Sequence, residues 1–390
     1  MSFSYFFSRN KEIKYLDEME NAMFKIDHNQ LNYLISIHKE NTTILKKTSL
    51  YLNNDSKYIN KKMIDLLKKN VGLNITNDQC FKILLEDLFL EEKDFDSSIH
   101  EFVNENVKKL NPKDYYGNPY YNKIKVNNII DNNWDLKYQE YEQYEAFIYK
   151  NQDINELYKV RPSVGYFDKK FSYLTVFQNG REWMAVKPNE IETMKEPIEY
   201  AKGNVLTFGL GLGYFAYMTS LKETVESITI VEKDQNVINL FKKYILPQFE
   251  YKNKIKIIDQ DAYTFYDNLD DKTYDYIFID IWHDVSDGLI HYLKFKESEN
   301  RFTQTKINYW IESEIIIFLR GIMFDIIEDI MNNIEPNGVK IDDLNYKIIY
   351  NKLYYLIKEK DFNSFEELID FLNDRNIKEI ARKLYIDNVD

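Results

Sequence analysis

At 390 residues, 44% of them hydrophobic and 16% aromatic, the chain can bury a substantial core as one large domain or as two to three modules. Lys and Arg number 51 against 64 Asp and Glu, a net charge of −13, so duplex DNA and bulk RNA are poor partners. Cys80 is the sole cysteine, which excludes an intramolecular disulfide and a cysteine-rich zinc site, and no metal is expected.

The start, Met1 to Phe7, turns charged at Arg9 and has no signal-peptide core. The later apolar run Ile315 to Phe318 is cut by Arg320 and Asp325, too short to span a membrane. The expectation is a soluble, cytoplasmic protein. Residues 1–110 read as an N-terminal helical module. Leu31, Leu34, Ile35 and Ile37 fall at helical spacing, as do Ile59, Met63, Leu66 and Leu67. Thr76 with Gln79 is a capping-box pattern, and Ile99, Phe102, Val103 and Val107 form another stripe before Pro112. His28, His38 and His100 are isolated and read as surface or core-edge residues. The module fits a substrate lid or a homodimer surface.

Residues 111–160 read as a helical connector, with a helix through Tyr138 to Tyr149 whose rings either pack between domains or stack on a planar substrate. In residues 161–202, Phe171 to Phe177 alternates, Asn179-Gly180 signals a hairpin turn, and Arg181 to Val186 returns. Pro188 then opens a helix that ends at Gly203. Residues 203–312 carry the core pattern. Val205 to Phe208 breaks into Gly209, Gly211 and Gly213; Ile228 to Val231 ends in Glu232. Ile255 to Ile258 leads to Asp261-Ala262, and Tyr274 to Ile279 ends in Asp280. Each strand carries a glycine or polar signal at its carboxyl end, where open parallel sheets bind ligands. Ile307 to Ile311 offers a fifth strand. Residues 313–390 read as a helical extension over Ile315 to Met331, Leu344 to Lys358 and Phe365 to Leu372. The sixth and seventh strands of a larger sheet are hard to find there.

Three readings of the glycines compete. Gly211-x-Gly213-x-x-Ala216 meets the dinucleotide pattern of an NAD enzyme. If the strand stops at Phe208, Gly209 is the first turn residue and Tyr214 stands where a pyrophosphate fold needs a small one. Leu210 and Leu212 add bulk that suits a ligand without a diphosphate, and Glu232 lies about 20 residues on, at ribose-binding range. S-adenosylmethionine fits better than NAD, and a sheet with no nucleotide is the third reading.

Residues 203–280 resemble the class I S-adenosylmethionine-dependent methyltransferases, and within them the spermidine-synthase-like branch. The likeness rests on Val205-Leu206-Thr207-Phe208-Gly209, on Val231-Glu232-Lys233-Asp234 followed by Lys243-Tyr244-Ile245-Leu246-Pro247, and on the preceding hairpin and helix. It implies an α/β, Rossmann-like parallel-sheet methyltransferase core with the added helical and hairpin parts. It places Gly209, Gly211 and Gly213 at the methionine part, Glu232 at the ribose and Asp261-Ala262 at the adenine. Leu210, Tyr214 and Lys233 join the cofactor-binding set, and Asp280 stands at the reacting end.

Two departures shape the expected reaction. Spermidine synthases carry Asp between the last two loop glycines, where this chain has Leu212, and Asp-Ser-Ser-Asp-Pro where it has Asp280-Ile281-Trp282-His283-Asp284. An ammonium buried beside Leu212 without a counter-charge is costly. Methyl transfer to a small molecule or partner protein is therefore expected ahead of aminopropyl transfer, with a non-catalytic binding protein as a third outcome. Asp280 and His283 are the candidate proton-handling groups, with Asp284 orienting the imidazole and Trp282 walling the pocket. Glu190 and Glu192 either welcome a cationic acceptor or serve as first-turn helix acids.

Overall fold

The computed structural model describes residues 26–72, 74–90, 96–131 and 133–385. The reading of Met1 to Arg9 lies outside them. Twelve strands are present among the described residues: β1 (Val107–Lys109), β2 (Ile129–Asp131), β3 (Trp134–Tyr141), β4 (Ala146–Ile154), β5 (Val160–Tyr166), β6 (Phe171–Gln178), β7 (Arg181–Val186), β8 (Gly203–Phe208), β9 (Val225–Glu232), β10 (Ile255–Asp259), β11 (Tyr276–Ile279) and β12 (Lys306–Tyr309).

Val205, Leu206, Phe208 and all of β11 are buried. Strands covered on both faces read as continuous apolar runs, and such strands pair in parallel. They do so here, in a five-stranded parallel sheet of order β10-β9-β8-β11-β12. The chain steps outward from β8 to β10, then crosses back to the other side of β8 for β11 and β12. The carboxyl tips of β8 and β11 thus lie side by side where the strand order reverses, the crevice that open α/β sheets use for ligands. Among the described residues the sheet has no sixth or seventh strand. The helix Glu312–Met331 follows β12 instead.

The hairpin forms as expected. Asn179 (φ 52°) and Gly180 (φ 77°) both take the positive φ that a two-residue twisted turn requires. Val176 pairs with Met184 but Phe177 with Glu182, which leaves Trp183 as a bulged residue. A bulge re-aims side chains, and Trp183 and Met184 face the same cavity. The helix after Pro188 is broken at Met194 into Pro188–Thr193 and Lys195–Tyr200.

Two further helical expectations fail: Val107, read as part of the stripe with Ile99, opens β1 as the helix Ser97–Asn106 ends, and the connector is not helical. Tyr138 to Tyr149 is not a helix: it spans the end of β3, a turn with Tyr144 at φ 66°, and the start of β4. The eight residues of β3 pair antiparallel with β6 in the sheet β2-β3-β6-β7, so the hairpin partner overrides local preference. The connector is therefore largely β. β4 pairs with β5, whose other edge takes β1.

The N-terminal helices His28–Asn54, Lys61–Val71, Asn77–Phe89 and Ser97–Asn106 pack on that sheet, with Ile44, Phe81 and Phe102 in one cluster with Val164 and Tyr166. The capping box at Thr76 and Gln79 is formed, and Cys80 is buried in the same cluster. The three expected C-terminal helices appear as Glu312–Met331, Leu344–Lys358 and Phe365–Phe371, joined by a fourth, Asp374–Ala381. The buried Arg320 donates to the Leu372 carbonyl at 2.8 Å and pairs with Asp374. Leu353 and Leu368 belong to the same core as Leu206 and Phe278. Among the described residues no helix is long and apolar enough to cross a membrane.

Leu353→Ala should therefore cost about 2–5 kcal/mol and lower the melting of the whole protein. Far-UV circular dichroism would check this; an early, separate transition of the C-terminal helices would contradict the shared core.

Candidate functional site

Gly209 makes the site. Its φ is 90°, and a Cβ there would lie 1.9 Å from the Asp280 carbonyl oxygen. Only a residue without a side chain lets the first turn press onto the tip of β11. Gly211 (φ 50°) has the Met184 sulfur 1.9 Å from its absent Cβ, so the hairpin lies directly on the loop. Gly213 meets the Phe241 ring instead, on the far side.

The result is a cavity of about 660 Å³, within the usual size of a small-molecule site. It is lined by ten of the twelve candidate residues: Gly209, Leu210, Gly211, Glu232, Lys233, Asp261, Ala262, Asp280, His283 and Asp284. Gly213 and Tyr214 stand outside its lining. The Tyr214 hydroxyl accepts from Asn118 at 2.7 Å, and its ring packs edge-on against Tyr120. The Leu212 side chain also points elsewhere, among Trp134, Val237 and Phe241.

Glu232 is half-buried at the tip of β9, and burial raises its pKa against the pull of its backbone hydrogen bonds. Its oxygens accept from the Leu210 N–H at 3.2 Å and the Asp234 N–H at 2.8 Å. A carboxylate offers about four acceptor positions, so capacity remains for a ligand hydroxyl beside these backbone N–H groups. Asp261 N-caps the helix Ala262–Asp267 through the Thr264 N–H at 3.0 Å, using one oxygen. Glu232 and Asp261 are thus acceptors that suit hydroxyl and amino donors of a ligand lying beside the glycine turn.

At the other end stand Asp280 and Glu190. Burial, reinforced by Glu190, holds the Asp280 carboxyl well above the carboxylate range. Burial also pushes Glu190 up to about 7, eased by Lys187 and worsened by Glu182. Lys187 is itself bonded to Glu182 at 2.8 Å. Among the described residues no hydrogen bond or ion pair engages either the Glu190 or the Asp280 carboxylate.

His283 is exposed at the rim. The group beside its Nδ1 is Asp287, at 3.1 Å, and that hydrogen bond raises the imidazole pKa. Asp284, expected to orient the ring, instead caps the helix Val285–Ser298 by accepting from the Ser286 N–H at 2.7 Å. Trp282 is buried and packs against Gly288. Sequence reasoning missed Met184, Trp183, Tyr263 and His291, which also line the cavity. Tyr263 and His291 are hydrogen-bonded to each other, and burial lowers the His291 pKa. No short-range motif marks these four, since only the fold brings them to the site. Among the described residues no group of three or more His, Cys, Asp or Glu could hold a metal.

Residues 200–341 match the family model of the spermine/spermidine synthase domain. The matched segment contains the parallel sheet and every candidate residue named above except those of the hairpin and Glu190. No curated protein matches the chain. Among solved structures it is similar to spermidine synthase from Thermotoga maritima, at 14% identity over 39% of this chain and 58% of that one, TM-score 0.29. It is also similar to a spermidine synthase in complex with the transition state analogue AdoDATO, at 15% identity over 39% and 60%, TM-score 0.30. The chain thus spans less than two thirds of the length of either structure.

Gly209→Ala should cost about 1–3 kcal/mol in backbone strain alone and abolish nucleoside binding. Gly180→Ala, equally positive in φ but with open space around it, should be milder and leave binding intact. Thermal melts and calorimetry on both variants check the contrast.

Proposed function

We propose that this chain is a spermidine-synthase-like transferase that moves an aminopropyl group from decarboxylated S-adenosylmethionine to an amine. The observation that carries the reading is the carboxylate pair Asp280 and Glu190 at the end of the cavity away from Glu232 and Asp261. A half-buried pair of like-charged groups favours a ligand that brings a cation. The domain match over residues 200–341 supports the same reading. Glu232 would hold the ribose hydroxyls and Asp261 the adenine amino group. The amine nitrogen would attack the aminopropyl carbon beside the donor sulfonium, the C–S bond would break, and 5′-methylthioadenosine would leave with the electron pair on its sulfur. What the chain must do is align the amine and take its proton. Asp280 would receive that proton once the bound sulfonium has drawn its raised pKa down and left it ionised.

The expected obstacle to aminopropyl transfer was an ammonium beside Leu212. With the Leu212 side chain in an apolar wall and Glu190 reaching the cavity from the helix Pro188–Thr193, a counter-charge is available from another direction. Methyl transfer from S-adenosylmethionine is the second reading, favoured by the missing acid in the glycine loop.

Two assays separate them. With decarboxylated donor and an aliphatic diamine, Asp280→Asn should lower turnover by about 10²–10⁴-fold while retaining nucleoside binding. Activity with S-adenosylmethionine and none with the decarboxylated donor would sink the aminopropyl reading.

The pH dependence has a definite sign. A carboxyl whose pKa is raised on folding keeps its proton in the native state, so stability is greatest at low pH and falls as pH rises through about 7. Diamine affinity should rise over the same interval, as Glu190 ionises. Glu190→Gln should flatten both profiles, read by thermal melts and calorimetry between about pH 5 and pH 8.

A further inference from the structure

We infer that Met184 is a specificity-determining residue that sets which donor tail the cavity admits. The inference rests on the donor reading above and adds to it a residue outside the domain match.

Met184 reaches the loop through the bulge at Trp183, which turns two neighbouring side chains of β7 toward the cavity. Its thioether accepts from the Leu212 N–H at 3.2 Å and overlies Gly211 so closely that a Cβ there would meet the sulfur. Loop amides of this kind are donors suited to an anionic group at the end of a strand–helix turn. Here an apolar, weakly accepting sulfur takes that amide. A donor tail lying along the loop therefore meets a thioether where a carboxylate would seek an N–H. Beyond it stand Asp280 and Glu190, whose ionised forms an ammonium stabilises and a second carboxylate opposes. Sulfur and acids act in the same direction: the tail subsite accepts an amine-only tail and rejects one that also carries a carboxylate.

Replacing Met184 by alanine removes the sulfur, opens the volume above Gly211 and frees the Leu212 N–H. Leucine restores most of the volume and not the sulfur. Calorimetry on the full chain, wild type, Met184→Ala and Met184→Leu, should use three probes. These are S-adenosylmethionine, its decarboxylated form, and 5′-methylthioadenosine, which keeps the nucleoside and sulfur but has no amino-acid tail.

The wild type should prefer the decarboxylated donor by about tenfold or more. Met184→Ala should narrow that ratio by about tenfold through tighter S-adenosylmethionine binding, with methylthioadenosine affinity unchanged as the control for folding. Met184→Leu should retain the wild-type preference if bulk sets it, and fall between the two if the amide–sulfur contact contributes. A ratio that stays at the wild-type value in Met184→Ala, while methylthioadenosine still binds, overturns the inference and leaves the donor reading standing. Failure of methylthioadenosine to bind the wild type overturns both.

Discussion

The close approach of Gly209 to the Asp280 carbonyl is the constraint from which the rest of the site follows. β8 and β11 are neighbours in the sheet, and their tips can touch only if the first turn residue has no side chain. That contact sets the height of the glycine loop. It leaves Leu210 N–H within reach of the Glu232 carboxylate and presents Asp280 beside the same cavity. The hairpin then closes the top, with Met184 resting on Gly211. Two glycines that seem interchangeable in the sequence do different work: one meets backbone, the other a thioether. The third, Gly213, meets the Phe241 ring and joins the loop to the helical layer rather than to the ligand space.

Electrostatics gives the cavity its direction. At one end Glu232 and Asp261 are partly satisfied by backbone N–H groups, so they are settled acceptors. At the other, Asp280 and Glu190 are carboxylates with raised pKa values and no hydrogen-bond or ion-pair partner among the described residues. Both are half-buried, and enclosing two like-charged groups side by side is unfavourable. A ligand that brings positive charge relieves the penalty, whereas a neutral one does not. This asymmetry, rather than the size of the cavity, is why an amine substrate suits the proposed reaction.

The parallel core was legible because strands buried on both faces must be almost wholly apolar, and each ends in a glycine or an acid at the functional edge. Val205 to Gly209, Glu232, Asp261 and Asp280 could thus be placed in order from the sequence alone. The hairpin was legible from Asn179-Gly180, whose positive φ values few other pairs adopt. Tyr138 to Tyr149 was misread because aromatic, charged segments have weak local preference, and the pairing of β3 with β6 is a long-range fact. The same limit hid the partner of His283. Asp284 is adjacent in sequence, but the helix cap claims it, and Asp287 arrives one turn later beneath the ring. Met184 was invisible for a different reason: a bulge, not alternation, decides where its side chain goes.

Leu212 shows how a departure from a familiar pattern should be weighed. Read alone, a leucine where a resembling family carries an acid removes a counter-charge and argues against an amine at that spot. The folded chain turns that side chain into an apolar wall, and Glu190 enters the cavity from an element some distance back in sequence. What matters to a bound cation is the field at its position, not which element supplies the charge. A carboxylate on the helix after the hairpin can therefore do electrostatically what one in the glycine loop would do. It approaches from a different angle, and it is coupled to the hairpin through Lys187 and Glu182. In that reading the strand tips carry the nucleoside contacts, while hairpin and helix bring the thioether and the acid to the same cavity. In the proposed reaction, recognition beyond the nucleoside would depend on how the hairpin sits against the sheet.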